Sequence, residues 1–169
     1  TGNEAGYDFN AKGLMLGLGY RLSNSLNLGA VLDWSAYDLD YLRNGGDLES
    51  DLLNLTGFLT WYRGNFGLDL QLGYTQGDSE AQRRFTFPVV AYADSRYDSS
   101  QRDLSGQFDW TWQSGAWSLQ PFLRLDYLRS EIDGYTETGD SLWLTAVEKQ
   151  AHEQINTSAG LDTRYTLTY

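Results

Sequence analysis

A single histidine, His152, with Ser141 and Ser158 in its wider region, is the grouping in this chain that bears on nucleophilic hydrolysis. That chemistry needs a serine within hydrogen-bond reach of a base that an acid orients. No compact Ser/His/acid spacing accompanies His152, and a histidine on an exposed loop or strand end is the simpler reading. Asp38, Asp40, Asp47, Glu49 and Asp51 have the hard oxygen donors that divalent cations prefer, but not the fixed spacing of a cation-binding loop. Arg83, Arg84 and Arg96 fall in a polar stretch where they can meet lipid phosphates. The chain has no cysteine, which removes disulfides and thiolate metal centres. A net charge of -11 leaves no basic stripe for nucleic acid. No catalytic, metal or cofactor residue is assigned, and the chain is expected not to be an enzyme.

The residues that remain are arranged by twos. Leu14, Leu16, Leu18, Tyr20 and Leu22 alternate with Gly13, Met15, Gly17, Gly19 and Arg21. Leu26, Leu28, Ala30, Leu32 and Trp34 alternate with Asn27, Gly29, Val31, Asp33 and Ser35. Side chains of a strand point to opposite faces in turn, so each segment has one apolar and one polar or empty side. Seven such strands are read: 9–22, 26–40, 51–62, 66–77, 102–112, 117–129 and 154–165. Ser23-Asn24-Ser25, Arg63-Gly64-Asn65 and 113–116 are tight turns rich in Asn, Gly and Ser. The intervening connections, 41–50, 78–101 and 130–153, are long and polar. Strand character continues into them, since Arg84-Phe85-Thr86-Phe87 and Leu142-Trp143-Leu144 still alternate.

Only 41% of residues are hydrophobic, and no apolar run approaches the ~20 residues of a membrane helix. Membrane strands escape that criterion because half of their residues face a hydrated lumen. Short turns on one side and long loops on the other describe an antiparallel up-and-down outer-membrane β-barrel. Arg21, Asp33, Asp69, Gln71, Asp109, Arg124, Asp126, Asp162 and Arg164 are expected to face the lumen. Gly17, Gly19, Gly29 and Gly73 would leave room beside them. Tyr20, Trp61, Phe66, Trp112 and Trp117 flank the tight turns and would form the periplasmic aromatic girdle; Trp34, Tyr74 and Tyr127 would form the outer one. From Leu26 to Trp34 is eight residues, roughly 20 Å along the membrane normal at ~3.3 Å per residue and ~40° tilt. That is close to the ~25 Å apolar band.

Seven strands are an incomplete set. Bacterial barrels normally close with an even number, and hydrocarbon excludes open edges. Either strands lie outside this chain or one hides at Arg84–Tyr92, where Pro88 lacks a ladder donor. Thr1-Gly2-Asn3-Glu4 does not begin a secretion signal, so the chain reads as a piece of a longer one. Three other readings stay open: a small complete barrel that is structural or adhesive through its loops, a lipid-modifying barrel centred on His152, and a soluble sandwich.

Gly6-Tyr7-Asp8-Phe9, Gly13-Leu14, Gly17-Leu18-Gly19-Tyr20-Arg21-Leu22-Ser23 and Leu28-Gly29 resemble the early strands of the autotransporter β-domain. Pro121-Phe122, Arg124-Leu125-Asp126-Tyr127, Ile132-Asp133-Gly134-Tyr135, Glu137, Gly139, Leu142, Leu144, Val147, Gln150 and Gly160-Leu161 resemble its middle portion in order. The resemblance covers nearly the whole chain. It implies a type V secretion translocator in a Gram-negative outer membrane: a twelve-stranded barrel that carries an N-terminal passenger to the cell surface. On that reading the chain spans strands two to eight, without the pore helix or the last four strands. The implied partners are the lipid bilayer and lipopolysaccharide, the protein's own passenger segment and the outer-membrane barrel assembly machinery. No passenger-cleavage residue is carried over.

Overall fold

Alternation over long segments builds a meander, and the computed structural model describes it over residues 6–41, 45–86, 89–140 and 142–167. The strands are β1 (Tyr7–Ser23), β2 (Leu26–Tyr41), β3 (Gly46–Arg63), β4 (Phe66–Phe85), β5 (Ala91–Trp110), β6 (Trp112–Ser114) and β7 (Trp117–Ile132). Short β8 (Tyr135–Thr136), β9 (Thr138–Gly139) and β10 (Ala146–Val147) precede β11 (Gln150–Tyr165). The long strands form one sheet in the order β1-β2-β3-β4-β5-β7-β11, each antiparallel to the next. β6 continues β5 after Thr111 and pairs with β7, while β9 pairs with the start of β5. Gly64 and Gly115 adopt φ of 62° and 59°, the left-handed conformation that a two-residue hairpin connection demands.

The strands run further than the alternation of leucines suggested. Parts of all three expected loops are strand, because β3 begins at Gly46, β4 runs to Phe85, β5 begins at Ala91 and β11 begins at Gln150. The physical reason is an inversion of polarity. Below it, one face carries Leu, Trp and Tyr and the other carries Asp, Gln and Gly. Above it, the formerly apolar face carries Asp38, Asp40, Asp47, Glu49, Asp51, Asp78, Glu80 and Asp98, and the opposite face carries Tyr7, Phe9, Tyr37, Leu39, Leu48 and Tyr97. Composition alone makes those segments look like solvated loop, although their period remains two. The suspected extra strand at Arg84–Tyr92 divides between the end of β4 and the start of β5; Phe87 and Pro88 lie outside the described residues. Leu142–Leu144 carries no strand.

The sheet has no dry interior. Among the described residues the buried apolar side chains are only Ala36, Ala91 and Ala93, and no large side chain is fully buried. Leu18 is 79% exposed, Leu72 64% and Ile155 69%. Leucine surface therefore does not meet leucine surface, as it would in a sandwich. β1 and β11 do not pair with each other among the described residues, so each is an edge.

Candidate functional site

Register decides which side chains share a face, because a slip of one residue would transfer every one of them to the other side. Arg21 aligns with Asn27, Asp33 with Asn54, and Asp69 with Gln107; Gln71 aligns with Ser105, and Asp109 with Phe122. Arg124, Asp126, Asp162 and Arg164 align with Ser158, Asn156, Gln120 and Ser118. Followed strand by strand, these alignments put all nine residues on one polar face. Tyr20, Trp34, Trp61, Phe66, Tyr74, Trp112, Trp117 and Tyr127 fall on the opposite face with the leucines. The aromatics there pair across strands: Phe66 stacks on Phe108 at 5.9 Å between centroids, and Trp117 meets Tyr165 at 4.8 Å.

The polar face is a network, and its acids are held mostly by neutral donors. Thr60 Oγ1 donates to Asp69 Oδ1 at 2.6 Å, Ser105 Oγ to Asp126 Oδ1 at 2.6 Å and Gln120 Nε2 to Asp109 Oδ2 at 2.8 Å. Asn54 Nδ2 donates to Thr75 Oγ1 at 2.8 Å. Arg124 grips Asp126 two residues along the same strand, with Nε and Nη2 contacts of 2.8 to 3.0 Å. Arg21 bends to the Ser23 and Asn24 carbonyls of its own turn. Among the described residues this stretch has no ion pair from strand to strand; hydroxyls and amides make the cross-strand bridges.

Two of the four glycines expected to leave room do the reverse. Phe58, directly opposite Gly29, lies across it, so that a Cβ there would collide with the ring and with the Leu18 carbonyl. Gly73 lies under the Asp103 carboxylate in the same way. Gly67 under Asp109 and Gly160 under Phe122 repeat the arrangement, in which each glycine receives the side chain opposite it. Gly19 is open, with nothing within 4 Å of its would-be Cβ.

Beyond the polarity inversion, the segment after β7 folds back onto the tips of β4 and β5. Tyr135 stacks on Tyr97 with centroids 4.9 Å apart, and β9 adds to β5 at Ala93 and Asp94. Arg83 reaches across to Glu137 through Nε at 2.7 Å and Nη2 at 2.6 Å. The Glu137 side chain is only 5% exposed, and it also accepts the Thr145 N–H at 2.8 Å. The Arg83 guanidinium holds the Glu137 carboxyl below its ordinary range, against burial that pushes it up. Sequence reasoning missed this contact, which joins residues 54 apart. Arg96 pairs with Glu80, and Arg84 lies over the Tyr92 ring at 5.7 Å.

The candidate acids gather without forming a cation cage. Asp40 stands opposite Asp47, Asp38 opposite Glu49, and Asp51 opposite Asp78. Among the described residues no three acidic or histidine side chains converge as metal ligands. His152 sits exposed on the edge strand β11 opposite Ser130, and Ser158 stands opposite Arg124. No acid orients His152 among the described residues, and Ser141 lies outside them.

The autotransporter β-domain family model matches residues 1–169. Esterase EstA of Pseudomonas aeruginosa and that of Pseudomonas putida are each 25% identical over 175 residues, covering 96% of this chain. The chain spans about a quarter of the length of those relatives, 26%. The translocator domain of autotransporter NalP from Neisseria meningitidis superposes with a TM-score of 0.73 at 14% identity, over 92% of this chain and 54% of that one. The open form of the ferric-catecholate import receptor Fiu from E. coli K12 superposes at 0.60 and 13% identity, over 96% of this chain and 34% of the receptor. Both likenesses, at this level of identity, concern the fold alone. This chain belongs to the autotransporter β-domain family, the translocator barrels of the Gram-negative outer membrane.

Proposed function

We propose that the sheet forms part of the wall of an export channel, with its leucine face in lipid and its polar face lining a hydrated bore through which the protein's own passenger reaches the cell surface. The observation that carries this reading is the segregation of the two faces across seven strands, together with the exposure of the leucine face. Hydrocarbon admits strands only where every ladder bond is satisfied, and it tolerates charge only away from lipid. Across the leucine belt, Thr, Ser, Gln and partnered Asp hydrate a moving chain, and the Phe58 and Phe122 rings on that face lie over Gly29 and Gly160. The nine polar residues named above line the bore. The eight aromatics are the lipid-boundary girdle, with Tyr20, Trp61, Phe66, Trp112 and Trp117 toward the periplasm. Lipopolysaccharide meets the outer rim, and the barrel assembly machinery inserts the domain. The wall itself carries no chemistry; the esterase named in the Pseudomonas relatives is a property of proteins roughly four times as long as the matched region.

Cysteines introduced singly into the complete protein test the assignment. Gln71→Cys and Ser105→Cys should react with a water-soluble maleimide, and a bulky adduct there should reduce passenger display. Leu70→Cys and Leu72→Cys, labelled with a fluorophore, should instead be quenched by brominated lipid. The reverse pattern would overturn the proposal.

A further inference from the structure

On the leucine face, Ala30 lies opposite Gly57 and Gly57 opposite Leu72. Two small residues side by side leave a notch between larger neighbours. It is a groove of about 460 Å³ lined by Ala30, Leu55, Gly57, Leu72, Tyr74 and Arg102. Its floor is open, since a Cβ on Gly57 would meet nothing closer than the Gly29 carbonyl oxygen at 4.0 Å.

The upper end of the groove carries unbalanced charge. Leu55 aligns with Tyr74, Tyr74 with Arg102, and Arg102 with Arg129, so two guanidiniums face each other across β5 and β7. Like charges directly opposite each other destabilise a sheet. Arg129 is neutralised by Glu131 at 2.5 Å and Glu153 at 2.7 Å. Arg102, exposed on the same face, has no ion-pair partner among the described residues. Glu131, diagonal to Arg102 and the nearer acid, is taken by Arg129 and Lys149, while Asp98 and Asp78, further toward the rim on that face, stand opposite each other. An arginine at the edge of an apolar belt is tolerated because its head reaches the headgroup level, where it matches the fork geometry of a phosphate.

We infer that the β2–β5 surface is a lipid site that seats one acyl chain in the groove over Gly57 and a phosphate at Arg102. The charge and the groove together call for a ligand that is both acylated and phosphorylated. The orientation proposed above puts Arg102 at the outer-leaflet boundary, so the occupant is the phosphorylated, multiply acylated sugar lipid that anchors lipopolysaccharide. To that extent the inference rests on the proposed function.

The complete protein in detergent micelles, titrated with diphosphorylated and with dephosphorylated lipid A and followed by native mass spectrometry, provides the test. Wild type should bind the diphosphorylated lipid at least tenfold more tightly. Arg102→Gln should erase that preference, and Gly57→Leu, which fills the groove from an open position, should weaken both lipids. Unchanged binding in either variant, or indifference to phosphate in wild type, overturns the site. Heat-modifiable migration and passenger display, measured on the same samples, report fold and export separately. A protein that binds the lipid but exports nothing would fail the channel reading and keep the site.

Discussion

A glycine facing a phenylalanine is a packing decision made one residue at a time. At Gly29 the Phe58 ring and the Leu18 carbonyl occupy the space a methyl group would need. Gly29→Ala should therefore destabilise the folded barrel by about 1–3 kcal/mol, the usual cost of overpacking. Gly19→Ala, where nothing lies within 4 Å, should be close to neutral. Urea midpoints of the complete protein refolded into lipid vesicles check the contrast. Glu137 makes a second residue-scale expectation. Its folded carboxyl lies below its ordinary value because Arg83 and the Thr145 N–H favour the charged form. The pair's contribution is therefore fully present above the ordinary glutamate range and is lost as pH falls through the lowered value. Hydrogen exchange over residues 133–149 should stay protected from neutrality down to that range and rise only below it. Glu137→Gln should raise exchange at neutral pH. The change should correspond to less than about 1 kcal/mol, since Arg83 is half exposed and remains solvated once released.

At the scale of the strand, neighbouring positions have opposite tolerances. Leu70→Arg puts a charge on the leucine face and should cost about 2–4 kcal/mol near the bilayer centre. Gln71→Arg, one residue along and on the other face, should fold nearly as wild type; the fraction of heat-modifiable band after refolding into vesicles separates the two. This parity was legible in the sequence because the side-chain period is two and the turns are short, so Leu14, Leu28 and Leu70 announce their face without any partner. The rest was less legible for definite reasons. Gly46–Ser50 and Asp78–Arg83 read as loop because most of their charged residues occupy the face that carries leucine lower in the same strands, and only the alternation from Arg84 onward points to strand there. The Arg83–Glu137 contact is long-range and leaves no local pattern. The covering of Gly29 and Gly73 depends on register between strands, which spacing within one strand does not contain.

Considered whole, the sheet of the described residues ends at β1 and β11 with ladder groups unpaired, a condition that hydrocarbon does not permit. The isolated 169 residues should therefore show no heat-resistant compact band in detergent, whereas the complete protein should show one on the same gel. The longest strands have a further consequence. β4 and β5 each contain 20 residues. At ~3.3 Å per residue and ~40° tilt they stand roughly 50 Å tall, about twice the ~25 Å apolar band. On the proposed orientation the strand ends at Phe85 and Ala91 thus project roughly 25 Å past that band as a raised outer rim. A short peptide tag inserted after Val89 should be bound by its antibody on intact cells, while the same tag at Asn24, beside a tight turn, should be reached only once the cells are opened.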